Sequence, residues 1–542
     1  MTKLYKYLSK LEQTFHLGTA TLIIAVLTLF SRITGFLRDL LLASELGVSR
    51  STDIYFTAFR IPDLIYNFLI LGTLSAAFIP VFTKYFIKNK SEAWRLTNNV
   101  LNVALAGMGL VSLIAFAFAS PLMKLVAPGF SDADLIETVK LTRILLLSPI
   151  IFTISSVFSS TLLSLKKFLW VNTAPLLYNA GIVIGILFFL PIWGLKGLAF
   201  GVILGAILHA LIQVPQLISS GWRWKPILNF KDKGVKQVIA LLIPRILGLD
   251  IAYVNLIIVS VIGSSLAAGT IAAFSFASNI QTVPLGVFAL STSLAIFPVL
   301  SEQYAKKQFT AFVNSFNSAF VRILYLILPF SVLLLLLRAH IVRLLIGYGK
   351  CDWTCTITTF DALGVLSLGL IAQSLVPLLS RAFYARENTK LPVIIGLGCI
   401  ALNGILSYLL APGLGIIGVT AGFVIASFLQ MTLLIVYLHR DLKDDETRNN
   451  IVRESDYYIA SNTAKILVAS LATAIAAYLI LNIMALFLDT HTVIGIFTQS
   501  ATTCLLSAAL YLGITAQLNV PDAVKIKSSL GKIASFFNVS GV

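Results

Sequence analysis

Long apolar stretches, separated by short polar or glycine- and proline-rich breaks, run through almost the whole chain. A helix needs about 20 consecutive apolar residues to cross a bilayer. Such stretches lie near residues 18–43, 54–82, 98–120, 140–164, 170–191, 195–218, 237–263, 268–298, 317–338, 360–384, 391–411, 414–438, 464–488 and 493–517. A lone strand cannot satisfy its backbone in hydrocarbon, so each stretch is expected to be helical. The pattern predicts an all-α polytopic membrane protein of about fourteen transmembrane helices.

Composition agrees with the pattern. Of 542 residues, 58% are hydrophobic and 12% charged, about half the charge of a soluble chain. The first seventeen residues are polar and mixed (Lys3, Lys6, Lys10, Glu12). The apolar run after them leads straight into charged sequence, so the first span is expected to be retained, not cleaved. The net charge of +17 would suit nucleic acid, but its placement argues for a membrane. With the N-terminus in the cytoplasm, the inner segments hold about 26 Lys and Arg and the outer ones about 7, as the positive-inside rule requires. Lys84, Lys88, Lys90 and Arg95 fall inside, as do Arg223, Lys225, Lys231, Lys233 and Lys236. An even number of spans then puts both termini in the cytoplasm.

The chain reads as two halves and an addition. Ser75-Ala-Ala-Phe-Ile-Pro80 resembles Ser293-Leu-Ala-Ile-Phe-Pro298, Gly194-x-x-Gly197-x-x-x-Gly201 recurs as Gly415-x-x-Gly418-x-x-x-Gly422, and Asn179 recurs as Asn403. The offsets are 218, 221 and 224 residues, so a duplication is expected. Six spans per half make a parallel repeat, two lobes around a central cavity that rock to give alternating access. The expected divisions are an N-lobe over 1–219, an interfacial linker over 220–236, a C-lobe over 237–439, a cytoplasmic connector over 440–463, and two extra spans with a tail over 464–542. The linker's Trp, Arg and Lys suit a helix lying in the membrane interface. The small residues of the glycine runs let helices approach closely.

Charges inside spans are costly and point to function once snorkelling is excluded. The first span holds Ser31-Arg32-Ile33-Thr34-Gly35-Phe36-Leu37-Arg38-Asp39, flanked by apolar runs. The second adds Asp53 near its outer end, then Arg60-Ile61-Pro62-Asp63. Arg38–Asp39 and Arg60–Asp63 can also be read as self-neutralising structural pairs, which leaves Arg32 uncompensated. Arg245 and Asp250 stand near the start of the seventh span; Arg245 can snorkel, whereas Asp250 is a candidate for cation or proton coupling. Arg143, Arg322, Arg338 and Arg381 lie nearer span ends and read as anchors. A guanidinium-lined cavity selects an anion such as phosphate or carboxylate. The five histidines have no metal or nucleophile spacing, and there is no Walker A motif. No enzyme activity, metal or cofactor is expected, and transport would draw on an ion gradient or the membrane potential. Cys399 and Cys504 read as packing residues. Cys351 and Cys355, in a loop expected outside, are placed to form a disulfide, the alternative being two free thiols.

The motifs in spans one and two, with Ala127-Pro-Gly-Phe130, Ala174-Pro-Leu-Leu-Tyr-Asn179, Pro244-Arg-Ile-Leu-Gly-Leu249 and Gln373-Ser-Leu-Val-Pro377 leading to Arg381-Ala-Phe-Tyr-Ala385, resemble the MurJ (MviN) family. These are lipid II flippases of the multidrug/oligosaccharidyl-lipid/polysaccharide exporter superfamily. The resemblance implies a peptidoglycan-precursor flippase of the bacterial cytoplasmic membrane that moves an undecaprenyl-pyrophosphate-linked glycan between leaflets. It implies a headgroup cavity between the lobes and a groove for the prenyl tail at spans thirteen and fourteen. Its partners would be the lipid-linked anionic substrate, membrane lipids and cell-wall synthesis proteins. Arg32, Arg38, Arg60 and Arg245 are the candidate pyrophosphate ligands. Asp39, Asp53, Asp63 and Asp250 are the candidate cavity or coupling carboxylates, and Ser31 and Asn279 are polar cavity positions. The chain departs from the family where an arginine is common in span two (here Tyr66-Asn67) and where an Asp-Arg pair is common in span eight (here Ser278-Asn279). Sodium coupling in some members uses an acid in span eleven, where Asn403 is followed by Ser407, so a coupling cation, Na+ or H+, is open. The alternatives are an exporter of another polyprenyl-linked oligosaccharide and, from a different class, a non-transporting membrane scaffold.

Overall fold

A computed structural model of the chain describes residues 17–69, 73–246, 252–442, 446–490, 492–526 and 528. Every regular element among them is helical. Eleven helices are long and apolar enough to cross a membrane, from Lys90–Ala117 to Val493–Gln517, and they match eleven of the fourteen expected spans. The other three expected spans are where the chain is charged or interrupted. The first is the 30-residue helix Leu17–Leu46. The second is cut at Phe59, between Arg50–Ala58 and Arg60–Leu69, and its remaining described part is Thr73–Lys88; Pro62 stands in the first turn of Arg60–Leu69, the one part of a helix where a missing N–H costs little. The described residues of the seventh form Lys233–Ile246 and Ala252–Gly263.

The sequence duplication has a structural counterpart in two helical hairpins. Phe168–Trp193 turns back into Leu195–Ser219, and Lys390–Leu414 into Ile416–Leu442. The turns are Gly194 and Gly415, at φ of 59° and 57°, a left-handed conformation that a Cβ would strain. The remaining glycines of each run let the two arms of a hairpin touch backbone to backbone. A Cβ on Gly201 would overlap the Cα of Gly185, and one on Gly418 would meet the carbonyl of Leu410.

The chain forms two compact units, Met1–Ala272 with Tyr348–Asp352, and Ala273–Gly347 with Trp353–Val542. The first has an aromatic and aliphatic core that includes Phe78, Phe82, Leu96, Met108 and Leu162. The second is built around the helix Phe309–Leu336, whose Phe312, Ile323 and Tyr325 are buried with Leu370, Leu378 and Phe383. The two C-terminal spans dock onto that helix. The Tyr511 hydroxyl donates to the Tyr325 carbonyl at 2.7 Å, and Arg322 pairs with Asp522 at 3.0 Å.

One expectation about a polar segment is corrected. The linker is no helix: residues 222–229 have no regular structure, because Pro226 lacks an N–H and asparagines of the Lys90–Ala117 helix take the linker's carbonyls instead. From Glu446 the connector is helical, as part of the 42-residue helix Glu446–Phe487, so its polar residues form the first turns of the span.

Substituting Gly201→Val should sharply lower the folded yield and thermal stability of the purified protein, as overpacking of a closed contact does. Gly398→Ala, at a helical glycine with open space around it, should leave both unchanged. Equal behaviour of the two variants in a detergent melting experiment would refute the close-packing role.

Candidate functional site

The Leu17–Leu46 helix carries the charged motif. Arg38 and Asp39 are adjacent, and the guanidinium turns back on its neighbour: Nε and Nη2 both donate to Asp39 Oδ1, at 2.9 and 2.7 Å. The third guanidinium nitrogen, Nη1, donates to Asn179 Oδ1 at 3.3 Å. Asn179 comes from the Phe168–Trp193 span and is nearly fully buried. Its amide nitrogen lies 3.3 Å from the Ser31 carbonyl and 3.3 Å from Thr34 Oγ1. One asparagine therefore holds the Arg38 fork and the turn in which Ser31 and Arg32 stand. Gly35 faces it, the Asn179 amide lying at ordinary contact distance, 3.7 Å, from where a Cβ would be. The motif's Arg38–Asp39 pair is thus realised, Asp39 buried and Arg38 half-buried. Arg32 is exposed and has no ion pair among the described residues.

The second-span charges do different work. Asp53 is fully buried at 0% exposure. Its carboxylate accepts from the backbone N–H groups of Gly269 (2.7 Å) and Ala272 (2.8 Å), so it caps the helix that begins at Thr270. A helix N-terminus carries unpaired donors and a partial positive charge, which makes it a good place for a carboxylate. Arg50, one turn earlier, adds a guanidinium 3.6 Å from the same carboxylate. It also donates to the Ser264 and Leu266 carbonyls, approaches Asp134 at 3.9 Å and lies over the Phe130 ring. Three stretches of the first unit meet at this one side chain. Arg60 is buried, and its Nε donates to Ser260 Oγ at 2.7 Å. Asp63, one turn on, interacts with it electrostatically.

These positions separate the expected site residues into groups. Ser31, Arg32, Arg38 and Asp39 share one helical stretch. Asp53 and Arg60 are built into packing contacts. Asn279 is half-buried on the Thr270–Ala305 span of the second unit. Asp250 and the side chain of Arg245 lie outside the described residues. Cys351 and Cys355 are disulfide-bonded. At the expected departure in span two, the Tyr66 hydroxyl lies 3.1 Å from Ser156 Oγ, a contact between neutral groups.

Two residues were missed as site residues by reading the sequence. Asn179 was noticed as a repeat position and as part of a family-like motif, but not as a site residue; its signal was a polar side chain in an apolar span. Arg50 went unremarked because it stands at a span end, where a cation is unexceptional; its signal was Asp53 three residues on.

Asp53→Asn would place an amide N–H₂ against backbone donors. Leaving a buried donor unpaired costs about 1–3 kcal/mol, so exchange of the Gly269 and Ala272 amides with solvent deuterium should rise about tenfold or more. Unchanged protection at those two amides would show that the carboxylate is not what holds the helix start.

The chain matches the family model described as "Lipid II flippase MurJ" over residues 42–519. It is 30% identical over 458 residues to a probable lipid II flippase MurJ of Rhizobium tropici, covering 82% of this chain and 83% of that protein. It is 26% identical over 434 residues to the lipid II flippase MurJ of Burkholderia cenocepacia, covering 78% and 84%. Among solved structures it is similar in fold to a lipid II flippase MurJ in an inward closed conformation, at a TM-score of 0.73 and 24% identity, covering 91% of this chain and 98% of that one. It also resembles an inward-facing multidrug resistance MATE family transporter, at a TM-score of 0.63 and 13% identity, covering 80% and 98%. With the family model matched across most of its length, this chain belongs to the lipid II flippase MurJ family.

Proposed function

We propose that this protein carries lipid II from the inner to the outer leaflet of the bacterial cytoplasmic membrane, with the pyrophosphate taken by the Arg32–Arg38 stretch of the first helix. One observation carries the assignment of the site: an exposed arginine without a carboxylate partner stands on the same helix as a guanidinium whose three nitrogens are already aligned by Asp39 and Asn179. Guanidinium forks match phosphate oxygens in shape and charge. A scaffold without substrate would have no use for an unneutralised cation there. Arg60 and Asp53 support the helices around this stretch and do not bind the substrate. Both termini face the cytoplasm, as the distribution of Lys and Arg favours.

The prenyl tail has a candidate place in the second unit. A cleft of about 530 Å³ is lined by Phe312, Phe316, Leu375, Leu438 and Leu467, among others, with His439 and Asp456 also lining it. Its walls come from the thirteenth span and three helices of the C-lobe, and an isoprenoid chain suits such a surface.

For the drive, the eleventh span Lys390–Leu414 carries no Asp or Glu. The Ser407 hydroxyl lies 2.9 Å from Asn403 Oδ1 and 3.2 Å from the Val419 carbonyl oxygen, a cluster of neutral groups with no carboxylate to offset a cation's charge. That arrangement favours the membrane potential or protons over sodium. Flipping by the reconstituted protein should then be indifferent to a sodium gradient and respond to an imposed potential or pH step; acceleration by sodium alone would reverse the reading.

The site is checked by complementation. The wild-type gene should restore growth to a bacterium depleted of its lipid II flippase, and Arg32→Ala or Arg38→Ala, at normal expression, should abolish rescue. Rescue by both alanine variants would remove the site assignment, and failure of a well-expressed wild type would point to another polyprenyl-linked glycan.

A further inference from the structure

The segment that joins the two sequence repeats is held in an unusual way. Three asparagines on one face of the Lys90–Ala117 helix bind it through its backbone. Asn98 donates to the Arg223 carbonyl at 2.8 Å, and Asn102 donates to the carbonyls of Lys225 and Ile227 at 3.0 and 2.8 Å. Asn99 donates to the Asn229 carbonyl at 3.0 Å and accepts from its N–H at 2.8 Å. Every second carbonyl from 223 to 229 is therefore turned toward the helix, as in an extended strap. Trp222 anchors the start of the strap, buried, with its indole N–H on Asn98 Oδ1 at 3.0 Å. Asp232 anchors the end, its carboxylate accepting from the N–H groups of Gly234 and Val235.

Because the backbone faces inward, the remaining side chains face out. Trp224, Leu228 and Phe230 are 58%, 56% and 56% exposed. Arg223, Lys225 and Lys231 are interleaved with them and exposed as well. Arg223 donates to the carbonyls of Ile218 and Trp222, and none of the three cations is in an ion pair among the described residues. The one nearby acid of the strap, Asp232, is committed to its helix cap. The strap follows directly on the spanning helix Leu195–Ser219, so it leaves the membrane at its boundary.

We propose that this asparagine-pinned strap is a binding surface for anionic phospholipid headgroups. The aromatic and leucine side chains suit the interfacial layer, where amphipathic rings are favoured. The unpaired cations suit a negative headgroup, and each Lys or Arg near an anionic surface is worth about fivefold in binding. Nucleic acid or an acidic peptide would match the charge but not three large apolar side chains at a membrane boundary. Pinning the backbone removes much of the ordering cost that a flexible basic loop would bear on binding.

The test uses the full-length protein in phosphatidylcholine nanodiscs containing a small, equal fraction of brominated phosphatidylcholine or brominated phosphatidylglycerol. Fluorescence of Trp224 is isolated as the difference between wild type and Trp224→Phe. Brominated phosphatidylglycerol should quench this signal at least twofold more than the zwitterionic lipid. The preference should fall with added salt and vanish in the combined variant Arg223→Gln, Lys225→Gln, Lys231→Gln. Equal quenching by the two lipids would make the strap a generic apolar anchor and overturn the assignment, as would absence of quenching by either. A preference that survives high salt in the wild type would also overturn it, and this measurement decides the matter should the triple variant fail to fold.

Discussion

A backbone broken inside hydrocarbon has no water to turn to, so each interrupted stretch must find a side chain to complete it. That constraint organises this protein. The donors at the start of the Thr270 helix are met by Asp53, and at the membrane boundary the carbonyls of the irregular strap are met by Asn98, Asn99 and Asn102. Inside unbroken helices, Asn179 and Gln281 add a second donor to the Ser31 and Leu366 carbonyls. Amides dominate because they are neutral and both donate and accept, so they can bind a peptide group without bringing a charge into the interior.

Asp53 is the exception, and its surroundings show why a charge is tolerated there. Burying a carboxylate costs several kcal/mol. Two backbone donors, the positive end of a helix and the Arg50 guanidinium all act on the same group. Arg50 in turn reaches two further stretches, one at Ser264 and Leu266 and one at Phe130 and Asp134. A neutral side chain could cap the helix, but it would not also recruit an arginine. The charge is what makes the contact a junction of several segments and not a local cap.

Much of the fold was legible in the sequence because lipid imposes a long, one-dimensional signal. Runs of about 20 apolar residues announce themselves without any knowledge of tertiary contacts, and the paired Gly-x-x-Gly-x-x-x-Gly runs marked the two hairpins that the structure closes at Gly194 and Gly415. The first-span charges were legible for the same reason, since Arg32, Arg38 and Asp39 stand against an apolar background. The polar segments were not. Trp222 to Phe230 has the composition of an interfacial helix, but its carbonyls are claimed by asparagines more than a hundred residues earlier, which no local pattern records. The polar stretch before residue 464, read only as a connector, gave no sign of its secondary structure, because polarity outside the membrane is compatible with helix or loop. The structure continues the helix through it, from Glu446 to Phe487. Asn179 was hidden by a similar non-local fact: its importance lies in what it touches 141 residues away, at Arg38.

The arrangement of the first helix changes how its charges should be counted. Asp39 takes two of the three Arg38 nitrogens through a single oxygen, so the pair is close to neutral as it stands. A phosphate arriving at Arg38 would have to displace or share that oxygen, exchanging one charge-assisted bond for another with little net gain. Arg32, exposed and unpaired, gives up nothing comparable on meeting an anion. In the proposed site, attraction of the headgroup would therefore fall mainly to Arg32, while Arg38, held in alignment by Asn179, would contribute orientation. The division would also suit release, because Asp39 stays beside Arg38 to reclaim the fork. A transporter must bind its cargo without keeping it, and an arginine with its own carboxylate in reach meets both requirements better than a free one.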